Sequence, residues 1–159
     1  MSTLVVFFSL DGNTRFIAGQ IAEAIGADLV SLSTRKSYPT KGFRKYFYGG
    51  KDVLFKEKPA LSNGPIDWER YDTIIIGSPV WAGSYAPPVG TFLSEYPIIG
   101  KRFAVFACHG GGGAEKCLER IKGALSMNEF IGEIDFVNPS KHPETSAAEA
   151  IKWASGLSC

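Results

Sequence analysis

Thr3-Leu4-Val5-Val6-Phe7-Phe8-Ser9-Leu10-Asp11-Gly12-Asn13-Thr14 begins as an unbroken apolar run and ends in hydroxyls, an amide and a glycine. An apolar run without alternation is the pattern of a strand buried on both faces, as in a parallel sheet. Directly after it, Ile17, Ile21 and Ile25 share one helical stripe, and Gly26 suits a left-handed C-terminal cap. Strand, short polar loop and helix in that order put free N–H groups and the positive end of the helix dipole at the loop. Such a loop can seat a phosphate.

The same unit recurs along the chain. Ala27 to Leu32 reads as a short second strand, and Asp72 to Ser78, carrying Ile74-Ile75-Ile76, as a third. Pro87-Pro88 open a helix that turns Val89, Phe92, Leu93 and Tyr96 inward and stops at Pro97. Arg102 to Cys108 is a fourth strand, followed by Gly110-Gly111-Gly112-Gly113 and a helical repeat of Ala114, Leu118, Ile121 and Leu125. Phe130 to Val137 supplies a fifth strand. The last helix is expected from Ser146, with Glu149 closing a capping box and Ala150, Ile151 and Ala154 buried. This alternation predicts an α/β fold in three layers, a doubly wound parallel sheet of five strands with helices on both faces. A length of 159 residues suits one domain over 1–159, and no repeat or linker divides it.

Composition narrows the function classes. Hydrophobic content of 45% with 21% charged residues is that of a globular protein. No apolar run reaches the length of a membrane span and no signal sequence opens the chain, so no membrane association is expected. Cys108, Cys117 and Cys159 are an odd number without metal-type spacing, which predicts reduced thiols, a cytoplasmic protein and no metal site. The net charge of +1 conceals an asymmetry: from Ser33 to Ile66 eight basic residues oppose two acidic ones, an excess of +6 that leaves −5 for the remainder. Basic residues interleaved with Tyr46, Phe47 and Tyr48 are only a faint nucleic-acid signal, and nucleic acid is not the expected partner. The chain has no G-x-x-x-x-G-K-[ST], and its first loop has no G-x-G-x-x-G and no Cys-x5-Arg, which disfavours nucleotide-hydrolase, dinucleotide and tyrosine-phosphatase readings.

In such a sheet ligands sit beyond the carboxyl ends of the strands. The loops there are Ser9–Thr14, Ser78–Tyr85 and Cys108–Gly113. Here the chain resembles the flavodoxin family, which binds flavin mononucleotide (FMN). Ser9-x-Asp11-Gly12-Asn13-Thr14 is similar to the family's S/T-x-T-G-x-T phosphate loop, with Asp11 in place of a hydroxyl residue, and Gly77 to Pro88 is similar to its second flavin loop and following helix. The resemblance covers nearly the whole chain, with Arg35–Pro65 the least typical part, a basic aromatic insertion. It implies the strand order 2-1-3-4-5 and an electron carrier with non-covalent FMN and no catalytic residue of its own.

Carried onto this chain, the resemblance assigns the FMN phosphate to the side chains of Ser9, Asn13 and Thr14 and the amides of Leu10, Asp11, Gly12 and Asn13. The Asp11 carboxylate is expected to turn outward or cap the helix, because it would repel a dianion. Ser78, Pro79, Val80 and Trp81 form the second loop, Trp81 against the flavin ring, with core packing as its alternative. The Ala82–Gly83 peptide can turn its carbonyl toward flavin N5. Amides of Cys108, His109, Gly110, Gly111 and Gly112 are expected at the ring oxygens, and a protonated His109 would stabilise reduced flavin. That histidine could equally be an exposed loop residue. Two departures from the family stand out: near-neutral overall charge, and no tyrosine in the third loop. One of Tyr46, Phe47 and Tyr48 can cover the flavin instead. The charge pattern predicts a redox partner protein, acidic in character, docking near residues 41–51. A small NAD(P)H-dependent FMN quinone reductase and a non-redox interaction module are the alternatives.

Overall fold

Thr3–Phe7 forms β1, and all five residues are buried. In the computed structural model, which describes residues 2–35, 38 and 58–157, this strand lies one in from the edge of the sheet. It pairs in parallel with β2 (Asp28–Ser31) on one side and with β3 (Thr73–Trp81) on the other. β3 continues in parallel to β5 (Arg102–His109), and β5 to β6 (Glu129–Val137). The path is β2-β1-β3-β5-β6, the expected 2-1-3-4-5 order of the five parallel strands. A two-residue strand β4 (Ser84–Tyr85) is added antiparallel to the end of β3.

Alternate side chains of each central strand face opposite layers. Leu4, Val6, Ile74, Ile76, Phe103 and Val105 pack with α2 (Pro87–Glu95) and α3 (Ala114–Ala124) through Val89, Phe92, Cys117 and Ile121. Val5, Phe7, Ile75, Ala104 and Phe106 face α1 (Asn13–Ile25) and α4 (Pro143–Ser155) through Ile17, Ile21, Ala150 and Ala154. Burial on both faces explains the absence of alternation in these strands. Gly77 is required by the second layer: a Cβ there would lie 2.0 Å from the Phe106 ring.

Three expectations need correction. The Ser78–Tyr85 segment is a β-hairpin rather than a loop, turning at Ala82 (φ 50°) and Gly83 (φ 71°). Positive φ at both turn residues is the geometry that matches strand twist in a two-residue hairpin. α4 begins at Pro143, not at Ser146, because proline is preset for the first helical position. Ser146 is therefore already inside the helix, its N–H bonded to the His142 carbonyl at 3.0 Å, and forms no capping box. Ile151, expected inside, is 43% exposed, because it lies on the face of α4 turned away from the buried Ala150 and Ala154.

Within the segment between β2 and β3, Thr34 bridges Leu61 in antiparallel fashion. Tyr46, Phe47, Tyr48 and the basic residues Lys41, Arg44, Lys45 and Lys51 lie outside the described residues. Among the described residues, no helix is long and apolar enough to cross a membrane.

Candidate flavin site at the strand carboxyl ends

The parallel winding brings the ends of β1, β3 and β5 together, with the turn after β6 as a fourth contributor. At the end of β1 the loop folds on its own side chains. Ser9 Oγ accepts the Gly12 N–H at 3.2 Å, and Asp11 Oδ1 accepts the Asn13 N–H at 3.2 Å. The Asp11 carboxylate thus closes a turn onto the first residue of α1, while the N-cap residue itself is Gly12 and no side chain caps the helix. Gly12 heads the helix at φ 99°, a conformation costly for any residue with a Cβ. Asn13 Oδ1 is taken by the Ser140 N–H at 2.9 Å, which ties this loop to the turn after β6.

Thr14 behaves differently. Its hydroxyl is buried, and Oγ1 has no hydrogen-bond partner of good geometry. It lies near enough to the Cys108 thiol to favour the ionised form, but burial dominates there and pushes that thiol up to about 12, with Asp11 and Asp135 adding to the rise. Cys108 is accordingly a neutral thiol across the physiological range.

In the hairpin, Ser78 is fully committed. Its Oγ accepts the Ala86 N–H at 2.8 Å and donates to the Pro79 carbonyl at 2.8 Å, pinning the strand to the start of α2. Trp81 is 7% exposed and packs edge-on against Phe8 (5.7 Å between centroids) and Tyr38 (5.3 Å). Its observed place is therefore aromatic packing. To offer a ring face to a ligand, Tyr38 or Phe8 would have to yield.

At the end of β5 the glycine loop closes on a histidine. His109 Nδ1 accepts the N–H groups of Gly111 (3.1 Å) and Gly112 (3.0 Å), while Nε2 lies 2.7 Å from Asp135 Oδ2. Gly113 then heads α3 at φ 83°, in contact with Gly83 of the hairpin. The loops enclose a cleft of about 70 Å³, to which the first loop contributes Asp11 and Asn13 and the hairpin strand Pro79, Val80 and Trp81. Cys108, His109 and Gly110 line it from β5, and Asn138 from the turn after β6. A larger groove of about 520 Å³ runs along Ile131–Ile134 and α4. Size does not locate the site here, because the strand carboxyl ends and both helix N-termini converge on the smaller cleft.

The profile of the family described as Flavodoxin matches residues 2–145. The chain belongs to the flavodoxin family. A flavoprotein from Lactobacillus acidophilus, solved in complex with FMN, has a TM-score of 0.75 at 23% identity, covering 90% of this chain and 97% of that one. Oxidised flavodoxin 2 from Bacillus cereus gives 0.59 at 20% identity, covering 98% and 99%. The general stress protein 14 of Treponema denticola, in complex with FMN, gives 0.59 at 11% identity, covering 98% of each chain. At these identities the likeness is one of fold.

Within this flavodoxin-family chain, eight of the expected site residues meet at the cleft: Asp11, Asn13, Pro79, Val80, Trp81, Cys108, His109 and Gly110. Ser9, Leu10, Gly12, Thr14, Ser78, Ala82, Gly83, Gly111 and Gly112 are not among its lining residues. Four contributors were not anticipated: Asn138, Ser140, Asp135 and Tyr38. Asn138-Pro139 is a turn signal directly after a strand, so Asn138 was recoverable from sequence. Asp135 and Tyr38 carry no local signal, since their partners are 26 and 43 residues away at His109 and Trp81.

Proposed function

We propose that this flavodoxin-family protein binds FMN non-covalently and transfers electrons through it in the cytoplasm. The observation that carries the reading is the buried, unpartnered Thr14 hydroxyl in the first turn of a helix headed by glycine. A buried hydroxyl without a partner costs about 1–3 kcal/mol. A phosphate at this helix N-terminus would remove that penalty, accepting from Thr14 Oγ1–H and from the first-turn amides that have no helical carbonyl to bond. The two FMN complexes among the similar folds support the same cofactor.

When bound, the flavin supplies the redox chemistry. The residues of the chain would hold and shield it. Thr14 and the head of α1 would anchor the phosphate. Pro79, Val80 and Trp81 would give an apolar wall, with Phe8 and Tyr38 excluding water behind the tryptophan. Cys108, held neutral, adds no negative charge beside the anion. Ser9 would shape the loop from within, and Asp11, which lines the cleft, would keep its carboxylate on the Asn13 N–H rather than on the ligand. A cleft of about 70 Å³ takes a phosphate-sized group, so a flavin ring requires the hairpin and the glycine loop to part. The basic excess from Ser33 to Ile66 supports an acidic redox partner docking near residues 41–51.

The test is titration of apoprotein with FMN and with riboflavin, followed by reduction. FMN is expected to bind at least tenfold more tightly, because riboflavin lacks the phosphate. Equal affinities would overturn the phosphate anchor. Rapid reduction of the holoprotein by NADPH alone would replace the carrier role with that of a reductase.

A further inference from the structure

We propose that His109, paired with Asp135, is a positioning residue whose protonation state decides whether the Gly111 and Gly112 amides are available to a ligand; only the ligand's identity rests on the flavin reading. The geometry assigns the tautomer. Nδ1 accepts two N–H groups, at 3.1 and 3.0 Å, so its lone pair is in use and it carries no proton. The proton of the neutral ring is then on Nε2, directed at Asp135 Oδ2 at 2.7 Å. The ring is 8% exposed, and the Asn138 N–H bonds the His109 carbonyl at 2.8 Å, so side chain and backbone are both held. Gly111, at φ 150°, lets the chain fold back onto residue 109.

Under the flavin reading, the amides of Gly111 and Gly112 are two of the donors that the third loop would offer a ligand, beside the cleft that Cys108, His109 and Gly110 line. They are already occupied, so ligand and imidazole compete for the same donors. An imidazolium has no acceptor. Once Nδ1 is protonated, it faces two N–H groups and the closed loop must release them. The open form presents two free donors and a positive ring, which together favour an anionic oxygen.

Charged groups approach the ring from several elements. Asp135 on β6 contacts Nε2, and Asp11 in the first loop lines the same cleft as His109. Cys108 next to it is a neutral thiol. Glu115 and Lys116 in the first turn of α3 oppose each other in sign, and Lys141 and His142 follow the turn after β6. Ligand binding through these amides is therefore coupled to proton uptake by His109, and by reciprocity affinity rises as pH falls.

The experiment is a pH titration of the full-length apoprotein by 1H–15N NMR with 15N-histidine, in which His142 is the only other histidine. At high pH His109 is expected as the Nε2–H tautomer. The Gly111 and Gly112 amides should move together with His109 and independently of His142. His109→Gln, which can still accept the amides but does not titrate, should hold them unchanged, and His109→Ala should leave them exposed at every pH. Riboflavin, which has no phosphate to titrate, should bind the wild type at least threefold more tightly on the acid side and His109→Gln equally across the range. An Nδ1–H tautomer, or amides that ignore His109, would overturn the clamp. Titrating amides with a pH-independent riboflavin affinity would overturn the coupling. Titrating amides with no flavin binding at any pH would uphold the clamp and remove flavin as its ligand.

Discussion

Two helices, α1 and α3, begin at the same edge of the sheet, each behind a glycine in a left-handed conformation, Gly12 at φ 99° and Gly113 at φ 83°. Both follow a buried parallel strand through a short loop of small residues, and neither has a side-chain N-cap. At the head of α1, Ser9 and Asp11 satisfy amides of the loop itself and leave the buried Thr14 hydroxyl without a partner. At the head of α3, His109 satisfies the loop amides and Asp135 satisfies His109. One head is left wanting a ligand; the other is complete without one. The difference comes from whether a neighbouring side chain supplies an acceptor, and not from the loop's own glycine chemistry.

The largest expected effect tests how tightly each head is built. A Cβ at Gly113 would stand 3.1 Å from both the Gly83 Cα and the Val80 side chain, whereas at Gly12 it would meet nothing within 4 Å. Gly113→Ala should therefore destabilise by about 3 kcal/mol, through left-handed strain and overpacking together. Gly12→Ala should lose only about 1 kcal/mol, the strain alone. Urea unfolding of the two variants reads the difference, and equal losses would mean the α3 head is as open as the α1 head.

Thr14→Val is next. It keeps the shape and removes the unpartnered hydroxyl, so the apoprotein should gain about 1 kcal/mol. FMN affinity should fall by about 2 kcal/mol, roughly thirtyfold, the worth of a hydrogen bond to a charged group. Opposite signs for folding and binding would mark the α1 head as a site held in readiness. A variant that lowers both would instead assign Thr14 a structural role.

A third effect lies beneath the α3 loop, where burial pushes the Cys108 and Cys117 thiols up to about 12 from 9.0. A raised thiol pKa means that the folded state keeps its protons while the unfolded chain releases them. The contribution is complete below about pH 9 and is lost as pH rises toward 12. In that window stability should fall by up to about 1.4 kcal/mol per pH unit for each thiol. Cys108→Ala should flatten the slope of urea-derived stability between pH 9 and 10.5 by about half, and both thiols should resist a thiol reagent until the protein is unfolded.

The smallest effect concerns the hairpin between the two heads. Ala82 holds φ 50° without being glycine. Ala82→Gly should relieve that strain and stabilise by less than about 1 kcal/mol, because greater freedom in the unfolded chain offsets part of the gain. A thermal shift of a degree or two upward is the expected reading, and destabilisation would show that the alanine methyl contributes packing.

Local pattern in the chain carried the five parallel strands and the loops after β1 and β5, and the family resemblance carried the strand order. The strands and those two loops follow from unbroken apolar runs, 3.6-residue stripes, and glycine or hydroxyl punctuation between them. Ser78 shows where that reading stops. Its place in a loop of the expected type suggested ligand contact, yet the extension of β3 into a hairpin commits its hydroxyl to Ala86 and Pro79. Trp81 was legible as an aromatic at the ligand edge, but its packing against Tyr38 depends on a contact across 43 residues. The role of His109 was decided by Asp135, which strand pairing brings opposite Ala107 on the neighbouring strand. Local propensity acts over a few residues, whereas satisfaction of a buried donor or acceptor depends on whatever the sheet register places beside it. For that reason the position of the site was written in the chain, and which of its groups remain free was settled only by the tertiary structure.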